Sequence, residues 1–189
     1  PNEDRLSPFD IDVASEQFLA HLADDSGYSE LTVKAYRRDL GRFVHALRDY
    51  RFPTDVREIK TKHVQVFANS LAQYAPATIR RIVYTVSSLF AHLKRIGLID
   101  ANPAEAVLLP AKKAPDRVAA TPEQCRAILD VARTPQDRAL MLLLMTTGLH
   151  RAEILALDVA DLSADVSQVT VNDKRRKTRV LPLPEQTRQ

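Results

Sequence analysis

Four stretches in the first half of the chain carry apolar residues at the spacing of an α-helix, and this periodicity constrains the fold most. In the clearest stretch, about 30–50, the apolar stripe consists of Tyr36, Leu40, Phe43, Val44 and Leu47. The others cover 11–24, a segment capped by Thr61, and a segment whose first turn contains Pro76. The pattern predicts four amphipathic helices that pack into one domain over 11–96.

Basic side chains on the second and fourth predicted helices fall mostly off these apolar stripes. They are Lys34, Arg37, Arg38, Arg42, Arg80 and Arg81. Such side chains can neutralise DNA phosphates and release counterions, but an arginine-rich helix face is also often only a solvated surface. The net charge of +3 and the pI near 9.1 favour an anionic partner without requiring one.

The ends of this domain differ in composition from its helices. Residues 1–10 predict a flexible tail. Prolines and basic residues predict an extended basic linker over 97–120, which contains Pro103, Pro110, Pro115, Lys112 and Lys113. This linker needs no role beyond that of a tether, although its charge would suit a path across a phosphate backbone.

A second apolar region begins with two helix starts, Thr121-Pro and Pro135. The apolar run that follows Pro135 predicts a buried helix that stops at Gly148, where a positive φ costs little. These helices are apolar enough to form a core of their own. A second short helix is expected to start from the turn.

Polar side chains cluster directly after that glycine, at His150, Arg151 and Glu153. The cluster is compatible with the satisfied polar rim of a helix-turn-helix corner. It is equally compatible with a ligand site at the edge of a core, where polar groups keep their structural support.

Two short strands, Gln168–Val171 and Arg179–Leu183, are predicted on either side of a turn over 173–177. The turn contains the consecutive basic residues Lys174, Arg175, Arg176 and Lys177. Such a run can be a solvated turn or a tip that enters a nucleic-acid groove. The predicted fold class is therefore mainly α with a small β-hairpin.

Several classes of protein are disfavoured by what the sequence does not contain. The single cysteine excludes an internal disulfide and a cysteine-rich metal site. No apolar run approaches the roughly 20 residues that span a bilayer, and no secretory signal is visible. No phosphate loop, metal-ligand cluster or hydrolase elbow appears, so no cofactor and no metal are expected.

The segment Thr147–Leu157, T-G-L-H-R-A-E-I-L-A-L, followed by Asp161-Leu162, resembles the first conserved box of the tyrosine recombinases. This phage-integrase family of DNA strand-exchange enzymes typically has T-G-L-R-x-x-E-L-L-x-L there. Lys174–Leu183 resembles the family's β-hairpin, and its distance from position 150 is the one expected. The phrases Phe18–Leu22, Leu31–Leu40 and Asn102-Pro-Ala resemble the family's N-terminal core-binding domain.

The resemblance implies a four-helix, SAM-like core-binding domain followed by a partial α+β recombinase catalytic domain over 121–189. In the family, the second and fourth helices of the first domain face the duplex. Basic residues of these two helices, of the linker and of the second domain are expected to contact DNA. They are Lys34, Arg37, Arg38, Arg42, Arg80, Arg81, Lys112, Lys113, Arg151, Arg175, Arg176, Lys177 and Arg179.

The resemblance also implies catalytic roles. Lys174 occupies the position of the lysine that protonates the leaving 5′ hydroxyl, and Glu153 that of a supporting carboxylate. The family's catalytic arginine is replaced by His150. A guanidinium grips phosphate with two hydrogen bonds, whereas histidine offers one donor and is mostly neutral at pH 7. Weak phosphoryl transfer or none is therefore expected.

The family's second box, H-x-x-R, and its nucleophilic tyrosine do not appear before Gln189, so this chain is expected to be inactive alone. The sequence predicts the DNA-binding portion of a site-specific recombinase that is cytoplasmic and nucleoid-associated. It is expected to be monomeric off DNA and to associate with other recombinase protomers on double-stranded DNA. No interaction with a membrane is expected. The alternatives are a non-catalytic DNA-binding regulator or remnant on the same scaffold and an unrelated helical interaction module.

Overall fold

The computed structural model describes residues 7–24, 27–111, 118–172 and 178–187. It forms two compact units, unit 1 over Pro1–Pro115 and unit 2 over Asp116–Gln189. Six residues with predicted roles lie outside the described residues, namely Lys112, Lys113, Lys174, Arg175, Arg176 and Lys177.

In its described part, unit 1 consists of the helices α1 (Ile11–Asp24), α2 (Glu30–Asp49), α3 (Thr61–Ser70) and α4 (Pro76–Arg95). Ser29 caps α2 as predicted, because its Oγ accepts the Thr32 N–H at 3.3 Å. Pro76 occupies the first turn of α4, also as predicted.

The predicted cap of α3 was wrong by one residue. Thr61 is the first helical residue, and Lys60 is the N-cap. The reason is a local hydrogen bond that residue propensities do not reveal. The Lys60 N–H donates to Nδ1 of His63 at 3.1 Å, so the ring of His63 satisfies a backbone donor at the helix start.

The core of unit 1 is formed by the apolar stripes of its four helices. Phe43 of α2 is fully buried, and its ring lies edge-on to Phe67 of α3 and Phe90 of α4, with centroids 5.1 and 6.0 Å away. Edge-to-face pairs at such distances stabilise a core beyond the burial of apolar area. The three aromatic rings therefore join three helices at one point.

The first part of the predicted linker is fastened to the helices of unit 1. The Asn102 side chain donates to the backbone carbonyl and the hydroxyl of Ser87 on α4, each at 3.1 Å. Gln65 on α3 exchanges two hydrogen bonds with the backbone of Leu108, at 2.8 and 3.2 Å. Ala104 is buried in the same core. These contacts come from residues distant in sequence, which the proline content could not indicate.

The elements of unit 2 are α5 (Pro122–Asp130), α6 (Pro135–Thr147), α7 (Arg151–Ile154), β1 (Gln168–Asn172) and β2 (Thr178–Pro182). The strands pair antiparallel, with Val169 opposite Leu181 and Val171 opposite Arg179. The mainly helical architecture with one small hairpin confirms the predicted fold class. None of the described helices combines the length and apolarity that crossing a membrane requires.

The prediction that α6 is a buried helix was wrong. Leu140, Leu144 and Met145 are 39, 42 and 37% exposed, and neither α5 nor α6 contains a buried residue. The buried cluster of unit 2 instead consists of Leu149, Ile154, Val169, Val171 and Leu183. Apolarity shows that a helix can be buried, but burial also requires a facing layer. In the described part of unit 2, Leu143 of α6 packs against this cluster, while other apolar residues of the helix remain partly exposed.

Candidate functional site

Arginines from α2 and α4 converge on the carboxylate of Asp39, which is fully buried. Arg81 of α4 donates to both of its oxygens, to Oδ1 at 3.2 Å, and Arg42 of α2 donates to Oδ1 at 3.4 Å. Nε of Arg38 lies 3.9 Å from Oδ1. The side chains of Arg81, Arg42 and Arg38 are nevertheless 45, 35 and 62% exposed, so each can also reach an external ligand.

Two further basic side chains of α2 form exposed ion pairs. Nζ of Lys34 lies 2.7 Å from the carboxylate of Glu30, one helical turn away. The Arg37 guanidinium pairs with Glu16 of α1. Exposed pairs of this kind contribute little to stability, so both cations can exchange a carboxylate for a phosphate at small cost.

Arg80 of α4 is held by two hydrogen bonds within unit 1. It donates to the Pro110 carbonyl at 3.1 Å and to the Tyr84 hydroxyl at 2.8 Å. The structure therefore connects this predicted DNA contact to the segment that follows the helical domain. Tyr84 is an exposed aromatic residue beside it, which the sequence prediction did not include. Its position four residues after Arg80, on the same helix face, was the available signal.

Sequence reasoning also missed Asp39. The signal was its place three residues after Tyr36 and four before Phe43, on the apolar stripe of α2. An acidic residue on a buried stripe requires a charged or hydrogen-bonding partner. The partner on α4 could not be identified from α2 alone.

In unit 2, Glu153 connects the turn after α6 to the hairpin. The helix α6 ends at Gly148 with φ of 65°, as predicted, and His150 is the N-cap of α7. One oxygen of Glu153 accepts the His150 N–H at 2.7 Å, and the other accepts Arg179 of β2 at 3.0 Å. The Glu153 side chain is 5% exposed, so these two donors offset the cost of burying its charge.

The structure therefore brings together only some of the predicted site residues of unit 2. Glu153 and Arg179 are in contact, and the exposed His150 and Arg151 begin the helix beside them. Arg179 was predicted as a phosphate clamp, yet its guanidinium also holds β2 against α7. Across the described residues, no group of three His, Cys, Asp or Glu side chains could hold a metal ion.

Replacing Glu153 with glutamine should lower the free energy of unfolding of unit 2 by about 1–3 kcal/mol. Glutamine is neutral and presents one acceptor oxygen to the two N–H donors, so one of these part-buried hydrogen bonds is lost. Hydrogen exchange of the β1 and β2 amides measures the change. Glu123→Gln is the control, because Glu123 forms an exposed pair with Arg126 at 3.2 Å. Equal protection in both variants would contradict the role of Glu153.

Family models of known proteins match both units of the chain. The family model "Phage integrase, N-terminal SAM-like domain" matches residues 15–97, and "Phage integrase family" matches residues 119–189. Tyrosine recombinase XerC of Roseiflexus castenholzii is 32% identical over 176 residues, which cover 89% of this chain and 56% of the relative. XerC of Roseiflexus sp. strain RS-1 matches with the same identity and coverage.

Among solved structures, a lambda integrase dimer bound to a COC' core site is similar in fold. The TM-score is 0.75 at 18% identity, over 92% of this chain and 62% of the integrase chain. The chain spans about half the length of the curated relatives it matches.

Proposed function

The chain belongs to the phage integrase family of tyrosine recombinases, and on this premise we propose that it is the DNA-binding portion of a site-specific recombinase. The proposed partner is double-stranded DNA, on which other recombinase protomers would assemble. The whole protein would act in DNA integration or recombination by strand cleavage and rejoining. Its place in the cell would then be the nucleoid.

The observation that carries this proposal is the convergence of Arg38, Arg42 and Arg81 on one side of unit 1. Three guanidinium groups surround one carboxylate there, so the cluster keeps a surplus of positive charge. Exposed guanidinium groups bind phosphate oxygens with paired hydrogen bonds. Lys34 and Arg37 extend the same charge along α2, and the binding energy would come largely from counterion release.

Unit 2 is proposed to contribute the first part of the catalytic site. Glu153 would support the turn that presents His150 and Arg151, and Lys174 would stand beside the leaving 5′ hydroxyl. Arg179 would contact phosphate while it holds the hairpin. The tyrosines of the chain, Tyr28, Tyr36, Tyr50, Tyr74 and Tyr84, all belong to unit 1. We therefore propose that this polypeptide binds DNA and does not cut it.

Fluorescence anisotropy of a labelled duplex, titrated with this polypeptide at several salt concentrations, tests the proposal. The expected result is binding with a dissociation constant on the order of micromolar or tighter at low salt. The logarithm of the affinity should fall linearly with the logarithm of salt concentration, because each phosphate contact releases condensed counterions. Absence of binding at low salt would overturn the proposal.

A second candidate is a non-catalytic regulator that occupies recombination sites. The histidine at position 150 favours it, because an imidazole cannot hold a phosphate with two parallel hydrogen bonds as a guanidinium does. His150→Arg should tighten DNA binding several-fold and still give no covalent protein–DNA product on a denaturing gel. Gln136→Arg, which adds the same charge elsewhere in unit 2, should tighten it less. A covalent product would contradict both the proposed lack of cleavage and the regulator.

A further inference from the structure

Asp39 is a charged group placed where a helical domain of this kind would ordinarily bury an apolar side chain. Its carboxylate is fully buried between α2 and α4, and the Thr85 hydroxyl of α4 lies 3.5 Å from Oδ2. Burying a carboxylate is costly unless opposite charges and hydrogen bonds surround it. The Arg81 guanidinium alone supplies two donors, so a single ion pair would suffice to hold the two helices together.

The cluster contains more cations than that structural role requires. Arg42 and Arg38 add two positive charges to the one carboxylate, and their mutual repulsion opposes folding. No acidic residue occurs in α4, from Pro76 to Arg95, so this helix does not neutralise the surplus. An external anion that binds beside the cluster would offset this surplus of positive charge.

The carboxylate also restricts how the arginines can move. A guanidinium carries five N–H donors in one rigid plane, and Asp39 engages two of those of Arg81 and one of those of Arg42. Because each guanidinium is rigid, the hydrogen bonds on the edge that faces Asp39 also set the direction of the N–H donors on the opposite edge. Side chains that are already oriented lose less conformational entropy when a ligand binds.

We propose that Asp39 is a positioning residue, which holds Arg81 and Arg42 in the orientation that contacts the DNA backbone. This inference rests on the proposed DNA-binding function. It predicts a change in DNA affinity, on loss of the Asp39 charge, that is opposite in sign to the change expected from charge alone. Removing a negative charge near the interface should tighten DNA binding by electrostatics, whereas releasing the two arginines from their anchor should weaken it.

The test compares Asp39→Asn with Asp49→Asn, which removes the same charge from an exposed position on the same helix. Binding is measured by anisotropy on the full chain at several salt concentrations. Far-UV circular dichroism and a thermal melt define a temperature at which both variants are folded. Asp39→Asn should bind about tenfold more weakly than wild type, with a salt slope reduced by about 0.9, the equivalent of one phosphate. Asp49→Asn should bind as tightly as wild type or more tightly.

Arg81→Lys provides a second variant if Asp39→Asn does not fold. It keeps the charge but replaces a planar pair of donors by one ammonium, so binding should weaken several-fold. Arg126→Lys, an exposed arginine of unit 2, should change binding little.

The outcomes separate the two proposals. Wild-type protein that does not bind DNA would overturn the proposed function and this inference with it. Wild-type binding with Asp39→Asn equal to or tighter than Asp49→Asn would overturn only the role of Asp39. If Asp39→Asn does not fold, Arg81→Lys that binds as tightly as wild type would overturn it equally.

Discussion

Replacing Phe43 with alanine should lower the free energy of unfolding of unit 1 by about 3–5 kcal/mol. The side chain is fully buried, and its ring contacts Phe67 and Phe90 from two other helices. The loss combines the transfer energy of the ring with the cost of a cavity that three helices cannot close together. Urea denaturation of the full chain, followed by far-UV circular dichroism, measures it.

Leu31→Ala is the matched control for this experiment. Leu31 lies on the same helix, α2, but its side chain is 79% exposed. Its truncation should change the free energy of unfolding by no more than about 0.5 kcal/mol. Similar losses in the two variants would mean that α2 is not packed through Phe43.

Replacing both Arg38 and Arg42 with glutamine should weaken binding to duplex DNA on the order of 50-fold at 0.1 M salt. Each phosphate contact contributes about 0.9 to the slope of log affinity against log salt, so losing two should reduce the slope by about 1.8. Both side chains remain partly exposed beside Asp39, whose bidentate partner, Arg81, is retained. Anisotropy titrations at several salt concentrations measure affinity and slope together.

The double variant Lys60→Gln and Lys62→Gln is the control for charge. These exposed lysines lie at the start of α3, outside the arginine cluster, and their loss changes the net charge equally. This control should lose much less affinity than the arginine variant. Equal losses would show that DNA responds to the total charge of unit 1 and not to the surface formed by α2 and α4.

Local features of the sequence were sufficient to predict most helix boundaries. The predicted range of α1, 11–24, is the observed one, and the caps at Ser29 and Gly148 are found as expected. These features depend on residues within one or two turns of each other. The backbone N–H groups at a helix start find their acceptors nearby in the sequence. The positive φ at a helix end depends on the residue placed there, usually a glycine. The α3 cap failed because a histidine side chain took part in it.

The candidate site could be predicted only in part. The motifs placed Glu153 beside the turn at Gly148, and helical periodicity placed the arginines of α2 and α4 off the apolar stripes. The pairs Asp39–Arg81 and Glu153–Arg179 could not be inferred, because each joins side chains of different elements. Helical spacing gives the face of a residue but not the neighbour that this face will meet.

The sequence alone determined the secondary structure of this protein and, through its two recombinase boxes, its family. Both are carried by short-range patterns of residues, and the helix caps among them are satisfied by neighbours within one or two turns. Only the tertiary structure decided which polar groups are buried and which apolar helices remain exposed. Burial depends on what packs opposite each face, so Asp39 is enclosed among arginines while Leu140 and Leu144 of the apolar α6 stay partly in solvent.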